Sequence, residues 1–311
     1  MIDKAYYETR LTIYFGDLLL STAVFVASFL WCLQARGALL AVAFVICSAA
    51  IYRAGAFMHD IAHRQRDPRM KIFNVFWNLT IGAIILSPSA RFYKPHLTHH
   101  STGLFGTRND PQYLLLRSNR KLAVFVLGFI PFLMPLLNLF DTVAASFGTA
   151  IEERLDRYLQ RYGYTIGADI DERYKPEVRW YSRFALLLFA TYAVLVPEIL
   201  PLMYAVQVGG WALTTWRIPL EHSMRCHVEA SDSRDQITDT FTIETPLDAV
   251  LQPLGLRFHT AHHMYPGVPY YNLPALHAEL KAKDSDYRRT IVSFWDALRG
   301  PKPFELRDDK T

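Results

Sequence analysis

The run "LTIYFGDLLLSTAVFVASFLWCL", Leu11 to Leu33, contains a single charged residue, Asp17. As a helix it is long enough to span a bilayer, whose hydrocarbon takes about 20 helical residues. After "QARG" (Gln34 to Gly37) comes a second run, "ALLAVAFVICSAAIYRAGAFM" (Ala38 to Met58), with Arg53 as its only charge. So short a link allows only an antiparallel hairpin. A helix pair buried in a soluble protein would carry charge on at least one face, and neither run does. The chain is therefore read as an all-α integral membrane protein.

Composition agrees. Of 311 residues, 51% are hydrophobic and 14% aromatic, high values for a soluble domain. The net charge is only +4, and no block of Lys and Arg interleaves with aromatics, so no nucleic-acid partner is expected. The three cysteines are scattered with no CxxC pattern. Cys32 and Cys47 read as buried thiols, and nothing suggests a disulfide framework, which fits a reducing compartment. The opening "MIDKAYYETR" has no cleavable signal pattern.

The later apolar runs are more broken. Ile72 to Leu86 is short and holds Asn74 and Asn78, as a half-inserted or buried helix would. Leu122 to Phe140 carries Pro131 and Pro135, which predict a kinked or re-entrant segment. Phe184 to Trp216 is interrupted by "VPEILP" (Val196 to Pro201), which reads as the tip of a second hairpin. Arg64, Arg66, Arg69 and Lys71 follow the second run, and Arg91, Lys94, Arg108, Arg117, Arg120 and Lys121 precede the third. The positive-inside rule places these basic segments in the cytoplasm, with Arg36 and Glu198 on the far side. If the histidine clusters described next share one side, an even number of crossings separates His100 from His222. The second hairpin supplies two, so Leu122 to Phe140 is expected to lie in the interface or dip back. The alternative is that it crosses and puts the charged stretch 141–180 outside. "IEERLDRYLQRYG" (Ile151 to Gly163) favours the first, because it reads as a helix at the cytoplasmic surface.

The expectation is one domain over 1–311, with about four transmembrane helices in two hairpins. Its parts are a first hairpin at 11–58, cytoplasmic histidine clusters at 59–120 and a re-entrant or interfacial segment with a charged helix at 121–180. A second hairpin at 181–217 and a cytoplasmic helical cap at 218–311 follow.

Histidine placement carries the functional signal. "HDIAH" (His59, His63), "HLTHH" (His96, His99, His100) and "HTAHH" (His259, His262, His263) hold eight of the 11 histidines. By composition alone HxxHH should occur roughly 0.01 times in such a chain; it occurs twice. On a helix, i, i+3 and i+4 share one face, and Pro95 suits the first turn of such a helix. Neutral imidazole is a ligand for iron, zinc or copper. Separate hydrogen-bonded partners for eight same-face imidazoles are hard to find, so a metal site is expected. A catalytic zinc takes three protein ligands and a structural one four. Eight or nine histidines suit two ions.

The order HxxxH, HxxHH, HxxHH, set around transmembrane hairpins, resembles the membrane fatty acid desaturase and hydroxylase superfamily. "HHMYPGVPYYNLPALHAEL" (His262 to Leu280) is similar to that family's closing stretch. "WRIPLEHSM" (Trp216 to Met224) resembles the segment carrying an extra histidine ligand, and "NDPQY" (Asn109 to Tyr113) the Asp-Pro that trails the second box. The resemblance covers roughly Ala38 to Leu280. It implies a di-iron centre held by His59, His63, His96, His99, His100, His259, His262 and His263, with His222 as the extra ligand and His227 as its rival. Asp60, Asp110, Glu221 and His277 are expected to support the ligands from behind. With no haem motif, GxGxxG, flavin or iron–sulfur pattern in the chain, reducing equivalents are expected from a separate donor such as ferredoxin, or cytochrome b5 with its reductase, and dioxygen is the co-substrate. The last box begins with His rather than the Gln that marks front-end desaturases fused to a cytochrome, which disfavours that subgroup.

The leading expectation is desaturation of an acyl-lipid or acyl-carrier chain at the membrane–cytoplasm boundary, giving a C=C bond. The runner-up is a hydroxylase or ketolase acting on a fatty chain, alkane or isoprenoid. A zinc-binding membrane receptor or hydrolase, or a metal-free membrane protein, would leave most of the histidines unexplained. Arg91, Lys94 and Arg217 are candidates for head-group contact, against ordinary anchoring at the cytoplasmic surface.

Overall fold

The computed structural model of the protein describes residues 2–148, 150, 154, 157, 158, 170–229, 231–245 and 248–300. Most of "IEERLDRYLQRYG" therefore lies outside the described residues. The chain divides into two compact units. One, the membrane unit, takes Leu11–Pro95 and Phe129–Leu213; the other, the histidine unit, takes the residues up to Arg10, His96–Gly128 and the residues from Thr214 onward.

The membrane unit opens with α1 (Leu11–Gln34) and α2 (Gly37–His63). Gly37 begins α2 at a φ of 57°, a left-handed conformation that lets so short a link reverse the chain. The buried side chains of α1 are Tyr14, Leu18, Ser21, Phe25, Ser28 and Cys32. Those of α2 include Ala43, Cys47, Ala50, Ala54, Phe57 and Ile61. Both series step alternately by four and three residues, the 3.5-residue seam of paired helices. The small residues on α2 let the backbones approach closely, as membrane helices without a hydrophobic driving force between them require. The two charges noticed in these runs find each other: Arg53 Nη2 lies 3.0 Å from Asp17 Oδ1, and its other nitrogen reaches the Ser21 hydroxyl. Pairing two half-buried charges is how an apolar span tolerates them. The helix α2 runs on through "HDIAH" to His63, so the first histidine pair is its last turn, five residues beyond the expected boundary at Met58.

After α3 (Met70–Trp77) the chain makes a π-helical turn, Asn78–Gly82. Trp77, Asn78 and Ile81 are buried, as a packed rather than lipid-facing helix requires, and Trp77 Nε1 donates to Ala54 O at 2.8 Å. The Asn78 amide reaches Asn74 and Ser89, and Ser89 reaches Tyr93, so this buried polar group is fully partnered.

The helix α4 (Ala90–His99) differs from expectation at its start: it begins five residues before Pro95, which therefore sits inside it rather than in its first turn. The helix α5 (Arg120–Val124), a π-helical turn Phe125–Phe129 and α6 (Ile130–Phe147) form a 28-residue helix with mean hydropathy 2.3. That is long and apolar enough to cross a membrane, where a re-entrant or interfacial segment was expected. Pro131 falls in the first turn of α6 and Pro135 inside it. Within the membrane unit, Asn138 Nδ2 and the Thr142 hydroxyl donate to Ile85 O and Leu86 O, each at 3.0 Å.

The helices α7 (Lys175–Leu195) and α8 (Leu200–Arg217) break at the predicted "VPEILP". They meet at a bend of 110°, short of the antiparallel return of a closed hairpin, across a single 3-10 turn at Pro197–Ile199. At Gly209 an added Cβ would come within 2.2 Å of the Ser48 hydroxyl, so only glycine lets α8 approach α2 this closely. Among the described residues, three helices are long and apolar enough to cross a membrane, and the bent pair makes up to four.

The histidine unit is also helical: α9 (Ser233–Thr238), α10 (Asp248–Leu251), α11 (His259–Met264) and α12 (Leu273–Lys283) lead into shorter turns. It departs from all-α in a parallel two-residue pair, β1 (Thr242–Ile243) with β2 (Ile291–Val292), and in two isolated antiparallel bridges, His222 with Thr240 and Thr242 with Phe258. Phe258, Ala261, Leu273, Leu276, Leu280 and Tyr287 form a core behind α11. The N-terminal residues latch onto this core. Tyr6 donates to Glu279 at 2.8 Å, Asn272 Nδ2 to Tyr6 O at 2.8 Å, and the Tyr271 hydroxyl to Glu8 O at 2.7 Å. The "YYN" of the closing stretch therefore serves partly to hold the N-terminal residues against the core that packs behind α11.

Candidate metal centre

In the histidine unit, His99 ends α4, His222 follows α8, and His259 and His263 lie one turn apart on α11. All four are buried, and one ring nitrogen from each lies within 4.8 Å of the others. The Nε2 atoms of His99 and His222 are 3.2 Å apart, those of His222 and His259 2.8 Å, and those of His259 and His263 3.1 Å. Nitrogens bound at about 2.1 Å from one ion and at right angles to one another sit about 3.0 Å apart, whereas tetrahedral ligands sit about 3.4 Å apart. The spacing is close enough for the four nitrogens to bind one ion.

A second group adjoins the first. His96 and His100 share a face of α4's end, and His262 comes from α11. His262 Nε2 lies 3.2 Å from His100 Nε2, and the His96 and His100 rings are 4.6 Å apart. The two groups touch where His100 stacks on His263 at 4.0 Å. In the membrane unit, His59 and His63 project from one face of α2, their rings 5.4 Å apart.

Burial favours the neutral form of five of these imidazoles. It pushes His222, His259 and His263 well below the usual histidine value, with neighbouring histidines adding to the effect. His262 is pushed down to about 3, by burial first and then by His99 and Arg217. His96 moves the same way, although its bond to Gln112 opposes the shift. Neutral imidazole offers the lone pair that a metal needs. Packing ring nitrogens face to face this closely fits a metal site.

The groups behind the rings decide which nitrogen is free. His99 Nδ1–H donates to Asp110 Oδ2 at 2.8 Å, and Asp110 also accepts from the backbone N–H of Gly106 at 2.9 Å and of Gln112 at 3.0 Å. Burial would raise this carboxyl, but the His99 contact and the two backbone donors outweigh it and hold it below the usual carboxylate value. A carboxylate can only accept, so His99 keeps its lone pair on Nε2, facing the group. His96 Nδ1–H donates to Gln112 Oε1 at 2.9 Å. Gln112 was missed in the sequence, although it stands in the quoted "NDPQY"; Gln236, behind His263, had no local signal.

The other expected supports differ. Glu221 Oε1 is 3.8 Å from His259 Nδ1, too far for a hydrogen bond, and 3.4 Å from Arg217 Nη1. Burial raises the Glu221 carboxyl to about 7 even beside Arg217. Asp60 is buried in the membrane unit and accepts from the Tyr14 hydroxyl. His277 belongs to neither group. Its Nε2–H donates to Glu244 at 2.7 Å, the Tyr287 hydroxyl donates to its Nδ1 at 2.7 Å, and its ring stacks on Phe258, the residue before His259. His227 is also outside both groups, donating through Nδ1 to Gly106 O at 3.2 Å. Of the head-group candidates, Arg91 is buried and donates to Asp141 O at 3.0 Å, Arg217 pairs with Glu221, and Lys94 is exposed.

The sequence model of the fatty acid desaturase family matches residues 11–295. The chain belongs to the fatty acid desaturase family. It is an integral membrane oxidoreductase of the wider desaturase and hydroxylase superfamily, as the histidine boxes suggested. It is also similar to a ceramide hydroxylase of Caulobacter vibrioides (strain NA1000 / CB15N), with 28% identity over 295 residues, covering 89% of this chain and 84% of that protein.

Proposed function

We propose that this member of the family is a di-iron, dioxygen-dependent lipid hydroxylase that acts on the aliphatic part of a ceramide-like lipid. The observation that carries the reading is the convergence of His99, His222, His259 and His263 through their Nε2 atoms beside a second histidine group. The likeness to a ceramide hydroxylase along most of the chain supports hydroxylation over desaturation. The second reading is desaturation of a fatty acyl chain, which the family match and the closing stretch "HHMYPGVPYYNLPALH" favour. The balanced reaction proposed is R–H + O2 + 2 e− + 2 H+ → R–OH + H2O, with the electrons from a separate donor of the ferredoxin or cytochrome b5 type.

Iron supplies the dioxygen chemistry that unactivated C–H bonds require. The chain's own residues hold and orient it. The four-histidine group takes one ion. His96, His100 and His262 would hold the other, and the family's three-box pattern assigns His59 and His63 to the centre as well. Asp110 and Gln112 fix the rings of His99 and His96 so that Nε2 is the ligand atom. Burial around His96, His222, His259, His262 and His263 disfavours their charged forms. A lipid substrate suits a site at a membrane surface, where its tail can stay in the hydrocarbon and its polar head in the interface.

The test is lipid mass spectrometry of a ceramide-containing host with and without the chain. Hydroxylation gives a lipid 16 mass units heavier in air and 18 units heavier under 18O2, and loss of that product in the uninduced host completes the case. A product two units lighter with no hydroxylated partner establishes the desaturase reading instead.

A further inference from the structure

We infer that Gln236 is the residue that sets the ring orientation of His263 and ties together the three segments supplying the four-histidine group; the inference rests on the metal reading above. Gln236 lies on α9 and is buried. Its Nε2 lies 3.1 Å from the backbone carbonyl of His100, and its Oε1 lies 3.3 Å from His263 Nδ1. Its own backbone carbonyl accepts from the Thr240 hydroxyl at 2.7 Å, and Thr240 forms an antiparallel bridge with His222. One side chain and its carbonyl therefore reach the second histidine cluster, the third cluster and the extra histidine.

The chemistry of these contacts fixes the tautomer in sequence. A backbone carbonyl can only accept, so the side of the amide facing His100 O must be the NH2. The side facing His263 is then the amide oxygen, which can only accept, so His263 must carry its proton on Nδ1. That leaves the His263 lone pair on Nε2, the atom 3.1 Å from His259 Nε2 inside the group. Reversing the amide would set an N–H against the imidazole, an oxygen against the carbonyl, and the His263 proton on the nitrogen that faces the metal position. Partners of this kind, behind a ligand, orient it and raise its basicity. Asp110 performs the same task for His99 with a full charge. Gln236 performs it with a neutral amide, and is the described partner whose side chain spans two histidine clusters.

Cobalt(II) titration of purified, metal-free full-length protein tests this, with visible absorption as the readout and helicity and thermal midpoint as folding controls. Gln236→Leu keeps the bulk but accepts nothing from His263. It is expected to weaken one of two cobalt sites by about 10- to 100-fold and leave the other unchanged. Gln236→Glu still accepts from His263 Nδ1–H but offers nothing to His100 O. It is expected to recover most of the lost affinity and to shift the cobalt band, because a carboxylate makes His263 a stronger donor. In a His263→Ala background, Gln236→Leu should have no further effect. Unchanged cobalt affinity in Gln236→Leu overturns the inference. Equal losses in the Leu and Glu variants also overturn it, by showing that only the contact to His100 matters. A wild-type chain that binds no cobalt or iron instead sinks the metal reading, and this inference with it.

Discussion

His99→Ala is expected to abolish product formation and to remove the iron from the four-histidine group. His99 supplies one of four buried nitrogens that lie 2.8–3.2 Å from their neighbours, and no other imidazole among the described residues stands where its Nε2 does. His262→Ala should do the same to the adjoining group. His227→Ala is the matched control: it removes a histidine five residues beyond His222 that lies outside both groups and bonds the backbone carbonyl of Gly106, and both metal content and product should survive. Metal analysis on purified variants, together with lipid mass spectrometry of the expressing cells, reads both effects. Full activity in His99→Ala would show that the four-histidine group is not part of the reaction centre.

The second large effect is expected at Asp110. This carboxylate is buried and accepts from His99, from Gly106 and from Gln112. Asp110→Leu leaves three buried donors without an acceptor, and each unmet donor costs about 1–3 kcal/mol. It also frees His99 to turn or to carry its proton on the ligand nitrogen. The expected result is a lower thermal midpoint and a fall in metal affinity of about 10- to 100-fold. Asp110→Asn keeps the shape and one acceptor oxygen, and should fall between wild type and Asp110→Leu on both measures. Equal loss of stability in the two variants, with metal affinity unchanged, would leave Asp110 a packing residue only.

The histidine clusters were legible because their spacing is a local signal. An i, i+3, i+4 pattern declares its face without any knowledge of the fold. The first hairpin was legible for the same reason, since two long apolar runs with one charge each and a four-residue link leave one arrangement. Asp17 and Arg53 were visible as the two charges in those runs, but their pairing was not, because it depends on the register of α1 against α2. That register follows from the 3.5-residue burial seam, which the near-uniform hydrophobicity of both helices conceals. Pro95 misled: a proline before a histidine pattern suggested a helix start, but Ala90–Lys94 supply a helical turn ahead of it and the helix absorbs the lost N–H. Pro131 and Pro135 suggested a kinked or re-entrant segment at 121–140; a π-helical turn at Phe125–Phe129 lies just ahead of Pro131, and the helix runs on to Phe147. Gln236 stood in no motif; long-range contacts to His100 and His263 give it its place. The N-terminal latch was invisible for the same reason, since "AYYE" acquires meaning only against Tyr271, Asn272 and Glu279.

The most direct test is to count the metal. Full-length wild-type protein, purified without oxygen and loaded with iron(II), should hold close to two irons per chain, and on exposure to dioxygen with a reductant and a ceramide-like lipid it should incorporate one oxygen atom into that lipid. One zinc per chain, with no iron retained after loading, would contradict the account.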